Sequence, residues 1–215
     1  MFPKAHKVMD EAELDELVSA ASRLCQTPVA LLSLVDRDRQ YFKSRIGAEM
    51  VETPRKGSFC SEAIRGDGVF EVRDARRDPR FREHPMVTGA PHIRFYAGVP
   101  LVTRERAAIG TLCIIDWKPR TLRGAQVDAL RVLGRQMMGV LEQRREAKAR
   151  RLAQQALKHD LRDHLQAITR GAARGGPSAD LLLHAEEASQ LLDDAIDTLA
   201  APAALELRRA PMDLA

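Results

Sequence analysis

Hydrophobic positions along the first hundred residues change period several times. Between residues 10 and 25, Leu14, Leu17, Val18, Ala21 and Leu24 recur at steps of three and four. That spacing predicts an amphipathic helix, with Asp10 as its N-cap and Glu11 and Glu13 in its first turn. Pro28 closes it, and Val29–Asp36 is too short and too aliphatic for a helix, so it reads as a buried strand. A tight turn at Asp36–Arg39 leads into Gln40–Ile46, the expected return strand of a hairpin. Ser58–Ile64 predicts a short helix, and Val69–Val72 a short strand. Residues 74–92 are rich in Asp, Arg, Pro and Gly and read as a long ordered loop, after which Phe95–Val102 and Ala108–Ile115 make two more strands. The order is helix, strand, strand, helix, strand, loop, strand, strand, helix, an α+β layout with a mostly antiparallel sheet.

After Pro119 the pattern changes. From Thr121 to about Ala173 there is no proline, and Val127, Leu130, Leu133, Met137, Val140 and Leu141 form an apolar stripe before the almost wholly polar stretch 142–151. A polar helix of that length ordinarily needs a partner, so a dimeric coiled-coil connector is expected, with a solvated charged face as the plainer alternative. Gly175, Gly176 and Pro177 break the helix. Ser178 can cap a second one, with Asp180 in its first turn and a heptad seam of Leu181, Ala185, Ala188, Leu192, Ala195 and Leu199. The expectation is a helical hairpin, two of which would form a four-helix bundle in a homodimer.

Composition narrows the classes. The 215 residues are 45% hydrophobic and 30% charged, ordinary for a globular chain. No apolar run exceeds about seven residues against roughly 20 for a bilayer span, and no leader pattern opens the chain, so a cytoplasmic protein with no membrane contact is expected. The net charge of +4 conceals an acidic end: residues 171–215 carry three basic and eight acidic groups, leaving +9 on the rest. Aromatic residues at 4% are too few for a base-stacking platform, so no nucleic-acid partner is expected. Three scattered cysteines (Cys25, Cys60 and Cys113) support neither a disulfide framework nor a zinc site, and no metal is expected.

One helical face carries candidate chemistry. With Leu161 at zero on a wheel of 100° per residue, Leu157, Leu165, Ile168 and Ala172 cluster within about 40° of it. His159 then falls nearly opposite, in solvent, with Asp163 one turn on and Asp160 beside it. A carboxylate that takes the proton of one ring nitrogen leaves the other nucleophilic, a suitable phosphoryl acceptor. The plainer reading is a surface histidine, and His164 reads as a packing residue.

The run Lys158-His159-Asp160-Leu161-Arg162-Asp163-His164-Leu165-Gln166-Ala167-Ile168 resembles the phosphoacceptor box of sensor histidine kinases. By that resemblance His159 is the phosphorylated residue and Asp160 its acidic activator. Asp163 stands where many members carry a Thr or Asn used in phosphatase action, a departure from the pattern. His164 replaces the usual proline, which should leave the helix straighter. The resemblance implies a homodimer, a response-regulator receiver domain as partner, and Mg-ATP held by a separate kinase domain. This chain shows no counterpart of that ATP-binding domain and contains no asparagine, on which the family's nucleotide site relies. The chain should therefore not phosphorylate itself from ATP. A fragment of a longer kinase is expected, or else a phosphotransfer protein served in trans.

Residues 10–142 resemble the GAF domains found upstream of such kinases. The resemblance rests on Val35–Ser44, Glu52-Thr53-Pro54-Arg55, Ser58-Phe59-Cys60, Asp78-Pro79-Arg80-Phe81, Pro91–Leu101 and Gly110–Asp116. The family binds cyclic nucleotides, tetrapyrroles, other small molecules or nothing, so the ligand stays open and no cofactor is expected. Cys60 is followed by Ser61 rather than by the histidine of bilin-carrying relatives, and His84 and His92 read as structural. Arg94 and Tyr96 are candidate ligand-binding residues, and Cys60 a candidate redox residue. The organisation expected is an extension (1–9), a GAF sensor (10–142), a signalling helix (121–155), a dimerisation and phosphotransfer hairpin (148–202) and a junction (203–215). The alternatives from other classes are a dimeric GAF scaffold without phosphorylation and a GAF-type methionine-sulfoxide reductase using the cysteines.

Overall fold

The computed structural model describes residues 12–172 and 179–200. Asp10, the Gly175-Gly176-Pro177 break, Ser178, the extension and the 203–215 junction lie outside the described residues. Eleven elements follow in order: α1 (Ala12–Cys25), β1 (Val29–Val35), β2 (Arg39–Ile46), β3 (Glu52–Pro54), α2 (Phe59–Ala63), β4 (Phe70–Val72), α3 (Pro85–Thr88), β5 (Phe95–Val102), β6 (Ala108–Asp116), α4 (Gly124–Ala172) and α5 (Ala179–Ala200). The chain divides into two compact units between Arg144 and Arg145, inside the 49-residue helix α4.

In the first unit, six antiparallel strands run β3-β2-β1-β6-β5-β4 across one sheet. Strand alternation divides the side chains between two cores. On one face Ala30, Leu32, Ala97, Leu101, Leu112 and Ile114 pack with Leu14, Val18 and Ala21 of α1 and with Leu130, Leu133, Met137 and Met138 of α4. Each large side chain buried there contributes about 1.5–3 kcal/mol. Asp15 of α1 also accepts a short hydrogen bond from the Ser44 hydroxyl of β2. On the other face Leu31, Tyr96 and Cys113 meet Phe59, Cys60, Ala63, Phe81, Val87 and Ile93 from α2, α3 and the connecting loops.

The predicted strands and the α+β order are present, with differences of detail. Leu24, expected inside, is 55% exposed. The inward line of α1 is Leu14, Val18, Ala21 and Cys25, and Leu24 sits about 80° off Leu14 at its flank. The Glu52–Pro54 segment adds an edge strand paired with β2, too short to alternate visibly. The loop expected over 74–92 encloses the short helix α3, capped by His84, whose Nδ1 accepts the Met86 amide at 3.1 Å. In the second unit, Leu165 is 52% exposed although its neighbours Leu157, Leu161 and Ile168 are half-buried. No helix among the described residues is long and apolar enough to cross a membrane.

Candidate functional site

In the second unit α4 carries His159 outward, with three-quarters of its side chain exposed. Its Nδ1 stands 3.3 Å from Asp163 Oδ2 and 3.7 Å from Asp160 Oδ1. Helical geometry makes that contact, because residues four apart lie one above the other on the same face. Two carboxylates competing for Nδ1 favour the tautomer with its proton there, and Nε2 keeps its lone pair toward solvent. The arrangement offers an exposed, oriented nitrogen nucleophile beside an acidic pair. His164, one turn past Asp160, turns instead toward α5.

The candidates of the first unit fall at two separate places. Tyr96 is 1% exposed and lies in the core, its ring 5.1 Å from that of Phe59, which stacks at 4.1 Å on Phe81. Its hydroxyl donates to Cys60 Sγ at 3.4 Å. Gly98, two residues along on the same face, makes room for that hydroxyl: a Cβ there would sit 2.5 Å from it. Cys60 and Cys113, which nothing in their spacing connects, also meet here in one buried cluster. The hydroxyls of Ser33 and Thr111, on neighbouring strands, are buried and have no hydrogen-bond partner. The two thiols are coupled: the adjoining Cys113 thiol pulls the Cys60 thiol downward, while Cys60 and burial push Cys113 up. Cys25, buried on the opposite face of the sheet, is raised to about 11 by burial. Thr111 and Cys113 share a strand face that α2 crosses, a meeting no signal in the sequence marks.

Arg94, by contrast, lines an open cleft of about 990 Å³ together with Arg73, Asp74, Arg77, Asp78 and Arg120. Its guanidinium makes a two-toothed contact with Asp74, Nε to Oδ1 and Nη2 to Oδ2, both at 2.8 Å. That hydrogen bond holds the Asp74 carboxyl below the usual range, as Arg80 does for Asp78. Arg120 is likewise paired with the buried Asp116. These cations are engaged by acids of the protein itself, and the cleft is a braced rim between β4 and the start of α4.

The GAF domain family model matches residues 11–141, and the chain belongs to that family. A cyclic di-GMP phosphodiesterase of Pseudomonas aeruginosa is 54% identical over 106 residues, which are 49% of this chain and 18% of that protein. Among solved structures, the GAF domain of an Acinetobacter phosphoenolpyruvate-protein phosphotransferase superposes with a TM-score of 0.55 at 18% identity, over 66% of this chain and 87% of that one. A domain of a putative two-component sensor histidine kinase from Sinorhizobium meliloti gives 0.53 at 16% identity, over 67% and 99%. Free methionine-R-sulfoxide reductase from Neisseria meningitidis gives 0.54 at 19%, over 64% and 81%. At such identities these structures establish the fold.

Proposed function

We propose that this chain is the sensory and phosphoacceptor portion of a two-component signalling protein, with the GAF domain controlling phosphorylation of His159. The supporting observation is the histidine exposed on α4 with Nδ1 held between Asp163 and Asp160. Nε2 attacks the γ-phosphorus of ATP presented with Mg²⁺ by a kinase domain in cis or in trans. The N–P bond forms as the bond to ADP breaks, and the Nδ1 proton stays shared with the carboxylates. A receiver-domain aspartate then takes the phosphoryl group from the imidazole. Asp160 and Asp163 orient and charge-balance the ring.

The homodimer belongs to the same reading. Leu165 is about half exposed on α4, and an apolar groove of about 350 Å³ beside it and Leu161 lies open. A second copy covering the groove side of α4 beside Leu161 and Leu165 would complete a four-helix bundle. The likeness to the phosphodiesterase supports a second reading, in which the GAF domain is a sensory scaffold that takes no phosphate.

Phosphotransfer separates the two. The full chain and His159→Gln are incubated with Mg-ATP and the ATP-binding domain of a histidine kinase that labels its own partner, and acid-labile phosphate is read by intact mass. Label on the wild type only is expected. Absence of label from both, or equal label on both, overturns the assignment and leaves the scaffold.

A further inference from the structure

The phosphoacceptor reading leaves a second cluster unused. Among the described residues, His164 of α4 and His184 and Glu187 of α5 bring three potential ligand atoms together within the second unit. The Nδ1 atoms of the two imidazoles are 3.3 Å apart, and Glu187 Oε2 lies 3.3 Å from His164 Nδ1 and 3.5 Å from His184 Nδ1. Three lone-pair atoms facing one another at that range repel unless a proton or a cation sits among them.

We infer that His164, His184 and Glu187 bind a divalent transition metal ion of the zinc type, with a fourth position open to solvent. Geometry is the ground. Ligands at about 2.0–2.1 Å around a tetrahedral ion stand about 3.3–3.4 Å from one another, close to the observed sides of 3.3, 3.3 and 3.5 Å. The donor set, two imidazoles and one carboxylate, suits zinc and its first-row neighbours rather than calcium or magnesium, which prefer all-oxygen shells. Two elements supply it, with His184 and Glu187 one turn apart on α5 and His164 opposite on α4, so neither helix holds the site alone. His164 is only 24% exposed and His184 38%, so desolvating them costs little more than folding has already spent. The remaining face opens to a pocket of about 440 Å³ that Asp160 and Glu186 also line, where water or a second carboxylate completes the shell. A bound ion would pin α5 to α4 one turn beyond Asp160.

Binding is tested on the metal-stripped full chain with zinc as the probe, by calorimetry, in the wild type, His164→Gln, His184→Gln and, as control, the exposed loop variant His92→Gln. One ion per chain is expected for wild type and control. Either cluster substitution should weaken binding by at least about 10-fold, the scale on which even outer-shell partners act. Far-ultraviolet circular dichroism confirms that the variants stay helical, and cobalt substitution of the wild type gives a readout independent of mutation. An intense visible band of four-coordinate cobalt supports the site. The weak spectrum of six-coordinate cobalt, no stoichiometric zinc binding in the wild type, or binding untouched by both cluster substitutions overturns it.

Discussion

His84 does two things that pull against protonation. Its Nδ1 accepts the Met86 amide at the start of α3, and the ring is packed 5.5 Å from Phe59, so burial pulls its pKa below the ordinary value of 6.5. Only the neutral ring can accept that bond. The unfolded chain takes up the proton first as pH falls, so the stabilising contribution is whole above about pH 6.5 and declines through the acid side of it. Denaturant unfolding of the chain between pH 7.5 and 5.5 should show this decline. In His84→Asn, which keeps a capping acceptor without the titration, the curve should be flatter; an unchanged slope would remove His84 from the account. Asp74 and Asp78 act lower. Their depressed carboxyls lend stability that is present above about pH 4 and lost below it, so Asp74→Asn should abolish part of the acid sensitivity in that range only.

Within α4 two glycines make opposite predictions. Beyond its chain neighbours and the backbone of its own helix, nothing lies within 4 Å of where a Cβ at Gly139 would be, so Gly139→Ala should stabilise the chain by up to about 1 kcal/mol through helix propensity alone. Gly134 lies where α4 presses on β5, and a Cβ would come within 2.7 Å of Val99 Cγ1, a stiff branched side chain in the core. Overpacking costs about 1–3 kcal/mol, so Gly134→Ala should be neutral or destabilising despite the same propensity gain. Chemical denaturation of the two variants side by side measures the difference. Elements of this kind were readable where one period governed them: α1 from its apolar stripe, and β1, β5 and β6 from their aliphatic runs. The edge strand at Glu52–Pro54 was not, because three residues carry no period, and α3 was hidden in a loop composition that its histidine cap interrupts. The exposure of His159 was legible from helical angle, since it depends on one helix. The meetings of Cys60 with Cys113 and of His164 with His184 were not, because each joins elements distant along the chain.

For the whole chain, the proposed signalling route runs along α4, within which the chain divides into its two compact units. One residue inserted at Ala147 turns everything after it by about 100° relative to everything before it. Kinase-dependent labelling of His159 should therefore change in its response to whatever the GAF domain senses. A four-residue insertion, about 40° past a full turn, should largely restore it. Equal output from all three proteins would remove the helix from the mechanism. The sheet, meanwhile, shapes how copies of this chain can meet. Both of its borders, β3 and β4, are only three residues long, one carrying Pro54 and an ion pair from Glu52 to Arg39, the other Glu71 beside Arg73. Such borders present too few free amides for another strand to lengthen the ladder. Crowded copies are thereby steered away from fibre-like stacking, and recognition between them falls to side chains rather than to backbone.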